Sequence, residues 1–427
     1  MQRTVALCMF GFVVFFFSSR ICQNRKKCYL CRKILTKSNS RMMKKILTIT
    51  AALSMAALMG CGDDSASASD NNPLDDVSVD ISKMTLREKV GQLFFVRPEA
   101  LDTSIHWNEY AELTDYKLQQ VNKTMSAVNK DYPVGGVILF AHNIKNESQL
   151  VSFVKEIKKL NGSPLLAIDE EGGRVARIAN NGTFDVPKYE SMAAIAESGD
   201  PNDAYKASFI IGSYVKKYGF DIDFAPVADV NTNPENIVIG PRAFSDNPET
   251  AAEFVVSYLN GLDSANIIGT LKHFPGHGDV KTDTHTGYAE TNKTWNEMLK
   301  CEMIPFKAGI DAGAQMIMTA HIAAPKVTGN DLPSTLSPVI LQEKLRGELG
   351  FKGVIVADAM DMGAITKQFS DTEAPIKAIQ AGVDIILCPK DFVSAFDAIV
   401  KAVEKGDIKE SRIDESVKRI LALKKRN

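Results

Sequence analysis

The sequence predicts an α/β protein built as a (β/α)8 TIM-type barrel with a single catalytic domain, and three observations lead there. Eight short apolar runs of strand type recur between Lys83 and Asn427. Segments with apolar residues at three- and four-residue spacing lie between them, the pattern of amphipathic helices. Chemically active side chains (Asp169, Asp229, Lys272, His273, His321, Asp358) stand at or near the ends of the runs. Eight β-then-α units fit a closed barrel, in which all strand ends share one face. A doubly wound parallel sheet is the competing arrangement.

The strand-type runs are, in order, VGQLFFV (Val90–Val96), GGVILF (Gly135–Phe140), PLLAID (Pro164–Asp169) and DIDFAPVADV (Asp221–Val230). They continue with IIGTLKHF (Ile267–Phe274), AQMIMTAHI (Ala314–Ile322), GVIVADAM (Gly353–Met360) and GVDIILCP (Gly382–Pro389). Most are almost continuously apolar, as strands buried on both faces of a parallel sheet must be. The clearest helical periodicity falls at Glu147–Leu160, Glu249–Ala265 and Asp391–Gly406.

The first sixty-one residues carry eleven Lys and Arg and no Asp or Glu. Without them Lys and Arg fall from 50 to 39 against 52 acids, so the remaining chain carries about −13. An acidic body argues against nucleic acid, whose phosphates are bound by Lys and Arg. MMKKILTITAALSMAALMGC (Met42–Cys61) has the charged, apolar and small-residue parts of a secretory signal and is too short for a comfortable membrane span. Its end resembles a lipoprotein cleavage box, which makes Cys61 the expected lipid attachment point. Residues 1–41 read as an extension ahead of the true start. Residues 62–80, acidic and rich in Ser, Asn and Asp, read as a flexible linker, and 81–427 as the catalytic barrel. Cys301 and Cys388 lie in apolar contexts and read as buried small hydrophobes rather than a disulfide framework.

Three of the six histidines fall within KHFPGHGDVKTDTH (Lys272–His285). His273 and His277 have the spacing of a helical metal pair, but Pro275 and Gly276 lie between them and no Glu follows His273, so no metal is expected. G-x-S-x-G occurs nowhere, which leaves carboxylate and histidine chemistry. Asp358, emerging from the buried run Val354–Val356, can attack an anomeric carbon; capping the following helix is the structural alternative. In IDEEGGRVAR, two glycines allow a sharp turn, and Asp169 and Arg177 can grip sugar hydroxyls; a surface ion-pair loop is the alternative. The stretch Asp279–His285 is rich in Thr and Asp and has little to anchor it.

MTLREKVGQLFFV, GGVILF, IDEEGGRVAR, FAPVADV, RAFSDNP, KHFPGHGD, TDTH and GFKGVIVADAM follow one another in a single order. Together they resemble the catalytic domain of glycoside hydrolase family 3, from Met84 to beyond Pro389. The D-x-H signature after KHFPGHG resembles its β-N-acetylglucosaminidase branch. The resemblance implies Asp358 as nucleophile, with Ala357 where Ser is usual. It implies His285 as acid/base with Asp283 as its partner, and Thr284 in place of Ser. It implies substrate contacts from Asp169, Arg177, Arg242, Lys272 and His273, and no cofactor. His277 is expected to shape the bend. The expected protein is a monomeric, lipid-anchored, exported retaining exo-β-N-acetylglucosaminidase acting on peptidoglycan- or chitin-derived oligosaccharides or muropeptides. The alternatives are a β-glucosidase, β-xylosidase or β-glycoside phosphorylase of the same family, and a non-catalytic sugar-binding lipoprotein.

Overall fold

The structure, a computed structural model, describes residues 80–102, 117–280, 284 and 287–426. The extension at 1–41, the signal segment 42–61 with Cys61, and the linker up to residue 79 lie outside the described residues. No helix among the described residues is long and apolar enough to cross a membrane.

All eight predicted runs contribute a strand to one parallel sheet. They are β1 (Phe94–Val96), β2 (Gly136–Leu139), β3 (Leu165–Ile168), β4 (Ile222–Asp223), β5 (Ile268–Phe274), β6 (Met316–Thr319), β7 (Val354–Val356) and β8 (Ile386–Leu387). Their order in the sheet is β8-β1-β2-β3-β4-β5-β6-β7. A parallel bridge between Val356 and Ile385, with the Ala357 N–H donating to Ile385 O at 2.9 Å, closes the ring. A doubly wound sheet reverses its strand order partway across, whereas this order is sequential and returns on itself. The barrel is therefore the arrangement adopted.

Local chemistry sets the bounds. The helix α1 (Leu86–Gln92) is started by a Thr85/Glu88 capping box, so the first three residues of VGQLFFV are helical and the strand begins only at Phe94. In DIDFAPVADV only Ile222–Asp223 is regular strand, because Pro226 has no N–H for the ladder. Contact with β5 nevertheless continues through Thr270 N–H to Ala225 O (2.7 Å) and Ala228 N–H to Lys272 O (2.6 Å), and this carries Asp229 to the rim. Gly136 sits opposite Phe95, where an added Cβ would lie 2.5 Å from the aromatic ring. Side-chain caps start three helices: Asn146 for α2 (Glu147–Ile157), Asn247 for α3 (Pro248–Ser264) and Asp391 for α4 (Phe392–Lys405). The last ends at Gly406 in the left-handed region (φ 83°).

The two ends of the barrel differ in chemistry. At the N-terminal end of β8, buried Asp384 accepts from Arg346 (2.7 Å), Arg419 (3.0 Å), Ser416 (2.6 Å) and the Ile355 N–H (2.9 Å). These contacts tie strands to outer helices. The C-terminal ends carry the rim residues. Cys388 is buried as expected, but Cys301 is only partly so.

Candidate active site

Past β3 the chain enters a short hairpin (Glu170–Gly172 with Val175–Ala176), and its three consecutive acids point to different partners. Asp169 accepts from Lys272 Nζ (2.9 Å) and from Arg177 (3.1 Å). Glu171 accepts a two-pronged bond from Arg242 (2.7 and 2.8 Å) and lies 2.5 Å from Lys272 Nζ. Glu170 turns into the protein, accepting the Ile178 and Ala179 N–H groups and the Tyr214 hydroxyl, all at 2.8 Å. Alternation along an extended chain separates the two ligand-side acids from the structural one.

These charges are fixed. Burial pushes the Glu171 carboxyl up, but Arg242 and Lys272 outweigh it and hold it well below its ordinary value. Asp169 is likewise held down against burial by Lys272 and Arg177. Lys272 is raised, because Asp169 and Glu171 overcome the effect of burial. The result is two anions and three cations already paired to one another. Their remaining donors and lone pairs suit a polar, uncharged ligand such as a sugar.

KHFPGHG begins as the end of β5 and then bends. Gly276 makes the bend at φ 118°, packed so closely that a Cβ there would lie 2.6 Å from Glu302 Cγ. Asp229 organises the bend. It accepts His273 Nδ1–H (2.7 Å), the His273 N–H (3.2 Å) and the His277 N–H (2.6 Å). Arg242 lies 3.4 Å from His273 Nε2. A guanidinium can only donate, so the ring proton belongs on Nδ1 and Nε2 is left as an acceptor. His277 is buried edge-on to His273 at 6.0 Å between ring centres.

Asp358 follows β7 and is partly exposed. It accepts the Ala359 N–H (2.8 Å) and is paired with no Lys or Arg among the described residues. Its charge acts on both His277 and Asp361. His321, beyond β6, donates through Nε2 to the Ala359 carbonyl (3.0 Å), and its Nδ1 meets Thr335 Oγ1 (2.8 Å). It thereby holds the turn that presents Asp358. Arg97, at the end of β1, forms an ion pair with Asp361 and lies 5.1 Å above the Phe140 ring.

The structure thus brings Asp169, Arg177, Arg242, Lys272 and His273 into one connected cluster, with Asp358 on the same rim. Asp283 and His285 lie outside the described residues. Between them Thr284 is described, and it is anchored: its carbonyl accepts the Ala364 N–H at 3.0 Å, and it is buried. On its other side Asp279 accepts from Thr291 (3.1 Å), and Val280 is buried. The expectation of a stretch with little to hold it is corrected at these points. Sequence reasoning missed Glu171 as the partner of Arg242, Asp229 as the orienter of His273, and the Arg97–Asp361 pair. The run of three acids was a signal for Glu171. Nothing local announces a pairing between residues so far apart as 97 and 361.

Residues 85–423 match the family described as "Glycosyl hydrolase family 3 N terminal domain". The chain is 34% identical over 326 residues to beta-hexosaminidase A of Pseudoalteromonas piscicida, a match covering 70% of this chain and 54% of that protein. It is 36% identical over 260 residues to a beta-hexosaminidase of Stenotrophomonas maltophilia (strain K279a), covering 60% of this chain and 76% of the relative. Its fold matches a family 3 beta-N-acetylglucosaminidase from Paenibacillus sp. str. FPU-7 with a TM-score of 0.72 and 35% identity, covering 80% of this chain and 62% of that structure. The first and last of these matches span less than two thirds of the other protein's length. An eight-stranded barrel with acids, bases and paired cations at its C-terminal rim, matched along residues 85–423, establishes that the chain belongs to glycosyl hydrolase family 3.

Proposed function

We propose that this chain is a retaining exo-β-N-acetylglucosaminidase. The observation that carries this reading is a partly exposed Asp358, with no Lys or Arg partner among the described residues, on the same rim as a largely buried cluster of paired charges. Relatives named beta-hexosaminidase support the choice of sugar. The Asp358 carboxylate attacks C1 of a terminal β-linked N-acetylglucosamine and forms a glycosyl–aspartate ester. His285, with Asp283 as its partner, gives a proton to the departing oxygen. It then takes one from the water that cleaves the ester, restoring the original anomer. Imidazole titrates near neutrality and serves both directions. Asp169, Arg177, Arg242, Lys272 and His273 hold the sugar.

The substrates in this reading are peptidoglycan- or chitin-derived glycans. The protein works outside the inner membrane, tethered by a lipid on Cys61. Paired assays on aryl β-N-acetylglucosaminide and aryl β-glucoside test the sugar. A clear preference for the first is expected, and equal rates or the reverse preference would refute it. A fluorinated N-acetylglucosaminyl donor that accumulates the intermediate should label Asp358, and a label elsewhere overturns the mechanism. Adding phosphate should leave the rate and the hydrolysis product unchanged; a sugar 1-phosphate would identify a phosphorylase. Cys61→Ser should release the protein from the membrane fraction.

A further inference from the structure

His277 is the histidine of KHFPGHG that the sugar-binding cluster does not use. Its side chain is buried, with 2% of the residue exposed. Its backbone is held on both sides: the N–H donates to Asp229 Oδ1 at 2.6 Å, and the carbonyl accepts from Asn236 Nδ2 at 2.7 Å. The main chain at this position is therefore pinned. Nδ1 has no hydrogen-bond partner among the described residues, whereas Nε2 lies 3.4 Å from Thr284 Oγ1. Burial, reinforced by the neighbouring His273, pushes the ring below its ordinary value, so it stays neutral. A neutral imidazole carries one proton. A buried acceptor without a partner is less costly than a buried N–H without one, so the proton belongs on Nε2, directed at the Thr284 hydroxyl.

Thr284 is the middle residue of Asp283-Thr284-His285. It is 1% exposed and is gripped from two directions. Its hydroxyl meets the end of the β5 bend through His277, and its carbonyl accepts the Ala364 N–H at 3.0 Å. Ala364 lies six residues after Asp358, in the helix Gly363–Thr366. One residue thus joins the bend that carries His273 to the segment that follows Asp358.

We propose that His277 and Thr284 form a positioning pair that sets where the acid/base histidine stands relative to Asp358. This rests on the reading of His285 as the acid/base. The role is indirect, since neither member touches the sugar. Its signature is specific, because misplacing a general acid hurts reactions that need protonation of the departing oxygen and spares those that do not.

The test uses the full-length protein and a series of aryl β-N-acetylglucosaminides whose leaving groups run from very acidic to weakly acidic phenols. Thr284→Val removes the hydroxyl at constant volume, and His277→Gln removes the ring. Both are expected to lose about 10- to 100-fold in kcat/KM on the poorest leaving groups and about threefold or less on the best. Thr284→Ser, which keeps the hydroxyl, should restore the shallow dependence. Thermal unfolding midpoints close to that of the parent show that the loss is not one of folding. A uniform loss across the series, or no loss, in a folded Thr284→Val protein overturns the proposal. His285→Ala provides the control. If it steepens the dependence while Thr284→Val and His277→Gln do not, the positioning pair alone is refuted. If His285→Ala leaves the dependence unchanged, the acid/base assignment fails and this proposal falls with it.

Discussion

Glu171 orders the pocket because Lys272 and the two-pronged Arg242 converge on it, while Asp169 shares Lys272 and holds Arg177. Removing its charge leaves buried Lys272 and largely buried Arg242 with one anion fewer between them. Glu171→Gln is therefore expected to cost about 3 kcal/mol of stability in urea denaturation, as breaking a buried ion pair does. It should lower kcat/KM as well, through misplacement of Arg242. The pH behaviour has a definite sign. Asp169 and Glu171 are held below their ordinary values, so the stability they contribute is present above those values and is lost only as pH falls through the lower ones. Lys272 is raised, so its contribution disappears only above its ordinary range. The cluster stays charged from about pH 5 to 9. Any limb of kcat/KM in that window belongs to another group, and it should disappear in His285→Ala if that histidine is the acid/base. Residue identities were legible here wherever a motif carried them: Asp169, Arg177, Lys272 and His273 were read from IDEEGGRVAR and KHFPGHG, and Arg242 from RAFSDNP. The partners that give them their charge state were not, because Glu171 and Arg242 are seventy-one positions apart and only the ring of strands brings them together.

At the scale of elements, helix bounds were the most readable feature, since they are set by adjacent residues. Asn146, Asn247 and Asp391 cap where the amphipathic pattern begins, and Gly406 ends one where the pattern stops. Strands were overextended, since a long apolar run does not say how much of it finds a ladder partner. The joint between β8 and its surrounding helices depends on Asp384, which three arginines hold down to about 2 despite burial. Its carboxylate contributes stability above the ordinary Asp value and loses it as pH falls through about 2. That difference is worth about 2 kcal/mol. Asp384→Ala leaves those arginines facing an empty site, and a loss of about 3–5 kcal/mol is expected from chemical denaturation. The active-site rim lies at the other end of the strands, so kcat of the folded fraction should be unchanged. A fall in kcat without a fall in stability would contradict this division.

At the scale of the whole molecule, the last helix, Glu410–Arg426, ties back to α1, the first helix of the barrel. Lys89 in α1 pairs with Glu410 and Asp414 (both 2.8 Å), and Lys424 donates to Gln92 Oε1 and Gly162 O (both 2.7 Å). Burial pushes Lys424 down to about 7. Its ordinary value lies near 10.5, so between the two the unfolded chain binds more protons and stability rises with pH. The urea midpoint of the parent protein should climb from pH 7 to 9.5, and Lys424→Met should flatten that climb. An equally steep climb in the variant would show that another group is responsible.

The sequence by itself determined the α/β class, the count of eight units, the helix ends and most of the charged residues that cluster at the rim. Each of these is written in contiguous residues: periodicity, caps and short motifs act over distances of a few positions. The tertiary structure alone decided that the sheet closes, since the Val356–Ile385 bridge depends on the curvature of all eight strands. It alone decided that Glu171 joins Asp169 on the cations while Glu170 turns inward, which ring nitrogen of His273 carries the proton, and that Thr284 is gripped between His277 and Ala364. Those outcomes depend on burial and on groups brought together from distant positions in the chain, and neither exists until the ring of strands has formed.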